Sequence, residues 1–349
     1  MPGCEAGHCA IAIDRLFMSY KASWAPKTQM NDLRVSVLIV NWNAGILLER
    51  CVESLLTQTL RPVEIIVVDN ASSDQSIKNI ENKFPDVRLI QAGQNLGFAA
   101  ANNLGIRAIA SDWIVLLNPD AFPEPKWLET LLDVAQRNPE YAIFGSRLVN
   151  ANVPSILDGM GDIYHFSGLV WRAGYGQKFP ESVTDPIEIF SPCAAAAMYR
   201  RDAFLEAGGF DEDFFCYVED VDIGFRLRLL GYRCLYVPDS VAHHVGSAVT
   251  GKRSDFSVYH GHRNLVWTYV KNMPGFLFWV LLPLHVLLNI VSLVHFSLRG
   301  QGKVILRAKW DAVKGISKMW RKRRVIQAHR IASVREIWQA MNKSLIPFR

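Results

Sequence analysis

VSVLIVNWN, residues 35–43, is a short apolar run rich in β-branched side chains that stops abruptly in polar ones. A run of that length with no polar alternation is what a strand buried on both faces requires, as in a parallel sheet covered by helices. Working outward, residues 45–60 place Leu47, Leu48, Cys51, Leu55 and Leu56 on one helical face. Glu64–Val68 reads as the second strand, Ser73–Phe84 as a helix, Val87–Ile90 as a strand, Phe98–Ile109 as a helix and Trp113–Leu117 as a strand. This βαβαβ order predicts an α/β fold: a mostly parallel, Rossmann-like sheet with helices on both faces. Beyond Asp120 the texture changes. A helix is predicted over Trp127–Arg137, residues 150–186 read as a long, partly ordered loop rich in Gly, Pro and Asp, and a strand resumes near Cys193–Tyr199. A helix from Glu219 to Leu230 and a last strand over Arg233–Val237 follow.

The 349 residues, 50% of them hydrophobic, are ample for one large domain with a full core plus an appendage. The net charge of +5 is unevenly spread. Residues 299–349 hold 14 Lys and Arg against Asp311 and Glu336, a net +12, which leaves −7 on the remainder. A mildly acidic body with a basic tail suits an anionic membrane surface. Nucleic acid would need the basic residues around the binding groove itself, so no nucleic-acid partner is expected. Six scattered cysteines without a CxxC pair read as reduced cytosolic thiols. Residues 1–33 show no signal-peptide pattern and read as a flexible extension, which places the body in the cytoplasm.

Residues 276–298 contain no Asp, Glu, Lys or Arg over 23 positions. As a helix the stretch reaches roughly 34 Å, at about 1.5 Å per residue, enough to span a hydrocarbon core. Pro283, His285, Asn289 and His295 raise the cost of insertion. A single span would also set the basic tail across the membrane from the body, against the positive-inside tendency. A re-entrant or in-plane helix is therefore favoured over a full span. Either mode attaches the chain to a membrane.

Parallel α/β sheets bind ligands at the carboxyl ends of their strands. Here those ends are Asn41-Trp42-Asn43, the run from Asp69 to Asp74, and Asn118-Pro119-Asp120. Asn, Asp and Ser are ordinary turn and cap residues, but three such ends in succession along one edge point to a polar ligand. Asn95, Gly97 and Asn103 lie before and inside the third helix, where glycine lets a ligand approach the backbone. No GxGxxG follows the first strand, which counts against a nicotinamide or flavin enzyme.

Five blocks occur in order between Arg34 and Trp267: VSVLIVNWNAG, VVDNASSD, NLGFAAANNLGI, LLNPDAF and GGFDEDFFCYVEDVDIGFRLRLLGY. Together they resemble family 2 glycosyltransferases of the GT-A fold, most closely bacterial rhamnosyltransferase-like members that build cell-surface polysaccharides. The tail KWDAVKGISKMWRKRRVIQ is similar to tails in that subgroup. The resemblance implies an inverting transfer from a nucleotide-diphospho-sugar donor, with dTDP-L-rhamnose as candidate, to a polyprenyl-diphosphate-linked saccharide.

The same resemblance assigns roles. Asp120 falls at the metal position of the DxD motif, where Mg²⁺ or Mn²⁺ would neutralise charge on the leaving diphosphate. The chain departs from the motif in carrying Asn118 where the first Asp often stands. Asp69, with Asn41 and Asn43 nearby, is implied to meet the nucleotide. Glu219-Asp220 matches the pair that supplies the general base, and Asp220 is the candidate to take the acceptor's proton. Glu219, Asp220 and Asp222 crowd together, so repulsion should raise at least one pKa. The alternative is that these acids cap a helix while Asp222 pairs with Arg226. His244 is implied to complete the metal shell, ahead of His243, although a lone His is more often structural. Arg263 is expected either at the diphosphate or in a surface ion pair, and Trp171 beside an acceptor site.

The expected organisation is a flexible extension over residues 1–33, a GT-A catalytic domain over 34–270, and over 271–349 an apolar helix (276–298) with a basic membrane-associating tail. The expected location is the cytoplasmic face of the inner membrane. A processive synthase would need several spans. The rival from another class is a catalytically inactive nucleotide-binding scaffold in a membrane assembly complex.

Overall fold

The structure, a computed structural model, describes residues 34–246 and 254–344; the extension expected over 1–33 lies outside them. Strands β1 (Val35–Asn41), β2 (Glu64–Asp69), β3 (Arg88–Gln91) and β4 (Trp113–Leu117) run parallel in the spatial order 3-2-1-4. Helices α1 (Ile46–Leu56), α2 (Ser76–Lys83) and α3 (Gly97–Arg107) connect them. Alternation along β1 explains its unbroken apolar run. Val35, Val37 and Ile39 pack with Leu48, Val52 and Leu55 of α1 on one face, and Leu38 packs with Ala99 and Ile106 of α3 on the other.

Beyond β4 the chain builds β5 (Ala121–Pro123), α4 (Trp127–Arg137) and a long strand β6 (Tyr141–Asn150). Short strands β7 (Leu157–Gly159), β8 (Asp162–Tyr164), β9 (Val170–Arg172) and β10 (Ile187–Ile189) come next. They are followed by β11 (Ala196–Arg200), α5 (Arg201–Glu206), α6 (Glu219–Leu229) and β12 (Arg233–His244). The sheet runs β10-β12-β6-β11-β4-β1-β2-β3. β11 is antiparallel to both β4 and β6, whereas β12 is parallel to β6, so the second half is mixed.

Two readings of this half are corrected. The segment over 150–186 is ordered and carries three strands, β7 to β9. The last strand does not stop at Val237 but shifts register between Val237 and Val241 and continues to His244. That continuation pairs β12 with β5 and sets His244 opposite Ala121.

The C-terminal part is α7 (Asp255–Asn272), α8 (Leu277–Phe296), α9 (Gly302–Ala328) and α10 (Val334–Ala340). The division expected at residue 270 falls inside α7. Helix α8 turns back along α7, stacking His285 on Tyr269 with ring centroids 4.0 Å apart and setting Phe296 beside His262. After a wide turn holding Gly300 at φ 84°, α9 runs forward again. Gln301 Nε2 donates to Asp255 Oδ1 (2.8 Å), Lys309 to the His262 carbonyl (3.1 Å) and Gln327 to the Asn272 carbonyl (3.1 Å). The basic tail is thus largely folded onto the body. One side of α8 is buried through Leu277, Phe278, Leu281 and His285, while a continuous opposite stripe of apolar residues stays exposed. By length and composition, residues Leu277–Ala328 include the one stretch among the described residues long and apolar enough to cross a membrane.

Candidate active site

The polar ends of β1 and β2 are knitted to each other. Asn41 Nδ2 donates to the Ser72 and Ser76 hydroxyls (2.9 Å each), and its buried Oδ1 has no partner among the described residues. Asn43, at φ 51°, accepts the Ser73 and Asp74 N–H groups on its side-chain oxygen (2.7 and 3.3 Å). Asp69 Oδ1 accepts the Ser72 N–H (3.1 Å), and Asp74 accepts the N–H of Gly45 (2.8 Å) at the start of α1. Turn chemistry therefore accounts for much of this edge, with Asn41 Oδ1 left over for a ligand.

Four residues expected at the donor also hold the surrounding structure together. Asn95 Oδ1 accepts from Asn70 Nδ2 (3.0 Å) and the Gly97 N–H (2.9 Å), tying β2 to α3. Gly97, at φ 78°, is needed because an added Cβ would lie 2.6 Å from the Phe215 ring and carbonyl. Asn103 donates to the Phe210 carbonyl (2.8 Å) and accepts its N–H (2.9 Å). Arg263, buried, donates to the carbonyls of Asp213 (3.1 Å) and Phe214 (2.9 Å) and lies over the Trp267 ring. Its Nε donates to Asn264 Oδ1 (3.0 Å), and its burial corrects the surface-pair expectation. Gly97, Asn103 and Arg263 converge on one segment, residues 210–218, and Asn95 sets the start of the helix that flanks it. That segment holds Phe215, Tyr217 and Val218 at φ 64–69°, a conformation non-glycine residues adopt only when surroundings impose it. It delivers the chain into the first turn of α6, where Glu219 and Asp220 stand.

The third strand end meets the end of β12. His244 Nε2 lies 3.2 Å from Asp120 Oδ1 and 3.4 Å from Asn118 Nδ2, while its Nδ1 lies 2.7 Å from Asp158 Oδ2. Burial pulls the imidazole pKa down, but the two carboxylates outweigh it and push it up to about 9. Asp120 Oδ1 and His244 Nε2 fit adjacent positions on one divalent cation, which are about 3 Å apart for metal–ligand bonds near 2.1 Å. Asp158 fixes the imidazole so that Nε2 points at that position. Among the described residues no group of three His, Cys, Asp or Glu side chains is disposed to hold an ion unaided. Two protein ligands suit Mg²⁺ or Mn²⁺, which draw the rest from phosphate and water. His243 points away and pairs with Glu124 at the surface (3.1 Å).

Asn118, His244, Glu219 and Asp220 line a single cavity of about 620 Å³. Asp220 accepts the N–H groups of Val221 (2.8 Å) and Ala194 (3.3 Å). Burial raises its pKa, against those hydrogen bonds and the charge of Arg172. Glu219 is less well served. Its Oε2 is buried without a partner among the described residues, and burial together with the Asp220 charge pushes its pKa well up. The crowding expected of this pair is present, and its surroundings leave Asp220 the easier of the two to ionise. Asp222 takes the helix-pairing reading: fully buried, it accepts from Arg226 Nε (2.9 Å), Lys271 Nζ (2.8 Å) and Asn272 Nδ2 (2.7 Å).

Asp158, Asp162 and Arg172 were not singled out from the sequence. Arg172 donates to Asp158 Oδ2 (2.6 Å) and to Cys193 Sγ (2.9 Å), and it faces Asp162 across the β8–β9 ladder. Asp162 lines the cavity with Trp171, and burial plus the Asp220 charge raise its pKa well above the usual range.

The profile of Glycosyl transferase family 2 matches residues 36–208. Over 248 residues the chain is 31% identical to the N-acetylglucosaminyl-diphospho-decaprenol L-rhamnosyltransferase of Mycobacterium tuberculosis, covering 64% of this chain and 79% of that protein. The chain belongs to glycosyltransferase family 2. This family 2 glycosyltransferase is also 28% identical over 238 residues to the O-antigen biosynthesis protein RfbC of Myxococcus xanthus, covering 64% of the chain and 18% of RfbC. Its fold is shared with GalNAc-T7, solved with UDP, GalNAc and Mn²⁺, at a TM-score of 0.56 and 19% identity, over 68% of this chain and 48% of that one. The GT-A architecture expected from the five sequence blocks is therefore the one observed.

Proposed function

We propose that this glycosyltransferase moves a sugar, with dTDP-L-rhamnose as candidate donor, onto a polyprenyl-diphosphate-linked saccharide at the cytoplasmic face of a membrane. The observation that carries the reading is one cavity lined both by His244, with Asp120 at its Nε2, and by Asp220 and Glu219. We read the first set as the donor side and the second as the acceptor side. The M. tuberculosis relative, whose name specifies a rhamnosyl transfer to a diphospho-decaprenol-linked sugar, supports both donor and acceptor class.

In this reading Asp220 takes the proton of the acceptor hydroxyl. The hydroxyl oxygen forms its bond to the sugar's C1 from the face opposite the nucleotide diphosphate, and the C1–O bond to that leaving group breaks, inverting the carbon. Glu219 holds its own proton and keeps the pair at a single negative charge. The β12–β5 pairing keeps Asp120 and His244 adjacent, and Asp158 keeps the imidazole aimed. What a bound Mg²⁺ or Mn²⁺ supplies is neutralisation of the charge developing on the leaving diphosphate. Trp171 offers an apolar face to the acceptor sugar, with Asp162 and Arg172 as hydrogen-bonding partners. The exposed apolar stripe of α8, next to a basic α9, supports attachment to an anionic membrane surface.

Calorimetric titration with nucleotide diphosphates and nucleotide sugars, with and without Mn²⁺, tests the donor. Metal-dependent binding of dTDP-rhamnose, weakened in Asp120→Ala, is expected. Tighter binding of a UDP- or GDP-sugar would discard rhamnose, and binding of no nucleotide sugar by folded protein would discard the transferase reading.

A further inference from the structure

The cavity that holds Asp220 has one wall the catalytic sheet does not supply. His295, Phe296 and Arg299, at the end of α8 and in the turn beyond it, form that wall together with Ser257, Gly261 and His262 of α7. Arg299 is exposed and lies 3.2 Å from His295 Nε2 through its Nη1; it makes no ion pair among the described residues. On the outward side of the same turns, Ile290, Val291, Val294 and Leu298 are exposed, Leu298 by 84%. An arginine without a carboxylate therefore stands where the reaction cavity meets the apolar stripe.

We propose that this junction binds the prenyl diphosphate of the acceptor. Arg299, assisted by His295, holds the diphosphate at the cavity mouth, and the stripe from Ile290 to Leu298 receives the first isoprene units. The proposal rests on the acceptor class given above and adds to it a place and a register. Electrostatics sets the register. The interior carries the ionised Asp220, which repels a diphosphate, so the diphosphate stops at the mouth beside Arg299 and only the saccharide reaches Asp220. A guanidinium presents paired donors that match phosphate oxygens. Here it does so beside a surface on which a hydrocarbon chain replaces water.

Farnesyl diphosphate titrated against the full chain in detergent, with farnesol as the diphosphate-free control, tests the site. Arg299→Ala is expected to weaken farnesyl diphosphate about tenfold or more and to leave farnesol unchanged. Val294→Ser with Leu298→Ser is expected to weaken both ligands. Unchanged farnesyl diphosphate affinity in Arg299→Ala overturns the proposal, as does an equal loss for farnesol. Flotation with phosphatidylglycerol vesicles separates the other source of phosphate. An Arg299→Ala protein that loses vesicle binding but keeps farnesyl diphosphate affinity places the arginine on headgroups and also overturns the proposal. Binding is read without a donor, so this result is independent of whether any sugar moves; absence of transfer to a lipid-linked acceptor in the wild type counts against the acceptor reading alone.

Discussion

Glu219 and Asp220 are consecutive on α6 yet live in different surroundings, and that difference is testable. Two backbone N–H groups and the charge of Arg172 favour the ionised form of Asp220, while Glu219 keeps an unpartnered buried oxygen. Asp220→Asn should cut transfer by about 10²–10⁴-fold with donor binding kept, as read from steady-state rates beside calorimetry. Because burial raises the Asp220 pKa and the base works only when ionised, the wild-type rate should climb as pH rises through that value and then level off. The acid limb should be missing from the residual rate of Asp220→Asn. Asp158→Asn should weaken Mn²⁺ about 10–100-fold in the presence of nucleotide, since it loses the carboxylate that aims His244. Asp158 itself was illegible in the sequence. A single acid in a Gly- and Pro-rich stretch carries no periodic signal, and its partner lies 86 positions away. Asp120 and Asp220 stand out as candidates because their neighbours in sequence carry a family pattern.

At the scale of elements, α9 is the least expected part. Its inner face reaches the segment before α6: Lys318 pairs with Asp213 (2.5 Å), and Lys322 with Asp211 and with Asp213 (2.7 Å). Beneath them Lys271, almost wholly buried, bridges Asp211 (2.5 Å) and Asp222 (2.8 Å). Lys271→Ala removes the cation shared by two buried carboxylates, which keep Arg226 and Lys322, and should destabilise the protein by about 1–3 kcal/mol, seen in urea unfolding at neutral pH. The pH dependence has a definite sign. Burial pushes the Asp211 carboxyl up, but Lys271 and Lys322 win and hold it well below the usual carboxylate range. An acid depressed in the folded state contributes stability above its unfolded pKa of about 4, lost as pH falls further. Asp211→Asn should flatten that acid loss. These contacts were invisible beforehand because a run of Lys and Arg reads as a solvated face until its partners are known. The parallel half of the sheet was readable from apolar runs alone. β6 was missed because Gly145, Ser146 and Arg147 interrupt its apolar pattern. Gly145 sits against Pro192, which leaves no room for a side chain, and Ser146 accepts the Trp127 indole N–H (2.7 Å).

Across the whole molecule, α8 leaves the catalytic body beside Tyr269, and the chain returns to it along α7, where Gln301 meets Asp255. A helix whose two ends are both tied to the same body is suited to lie along a bilayer with its exposed stripe inward. The outward residues of α9, which include Lys303, Arg307, Trp310, Lys314 and Arg321, extend that face with charge and an aromatic anchor. Ile290→Asp with Val294→Asp should release the protein from vesicles containing anionic lipid in a flotation assay while leaving its circular dichroism unchanged. Raising salt should weaken wild-type binding only in part, because the apolar share is unscreened. The stripe and the cavity mouth share the last turns of α8, so an enzyme seated this way meets its acceptor in two dimensions. Its turnover then follows the acceptor's mole fraction in the lipid: diluting vesicles in buffer leaves the rate per bound enzyme constant, while diluting the acceptor within them lowers it.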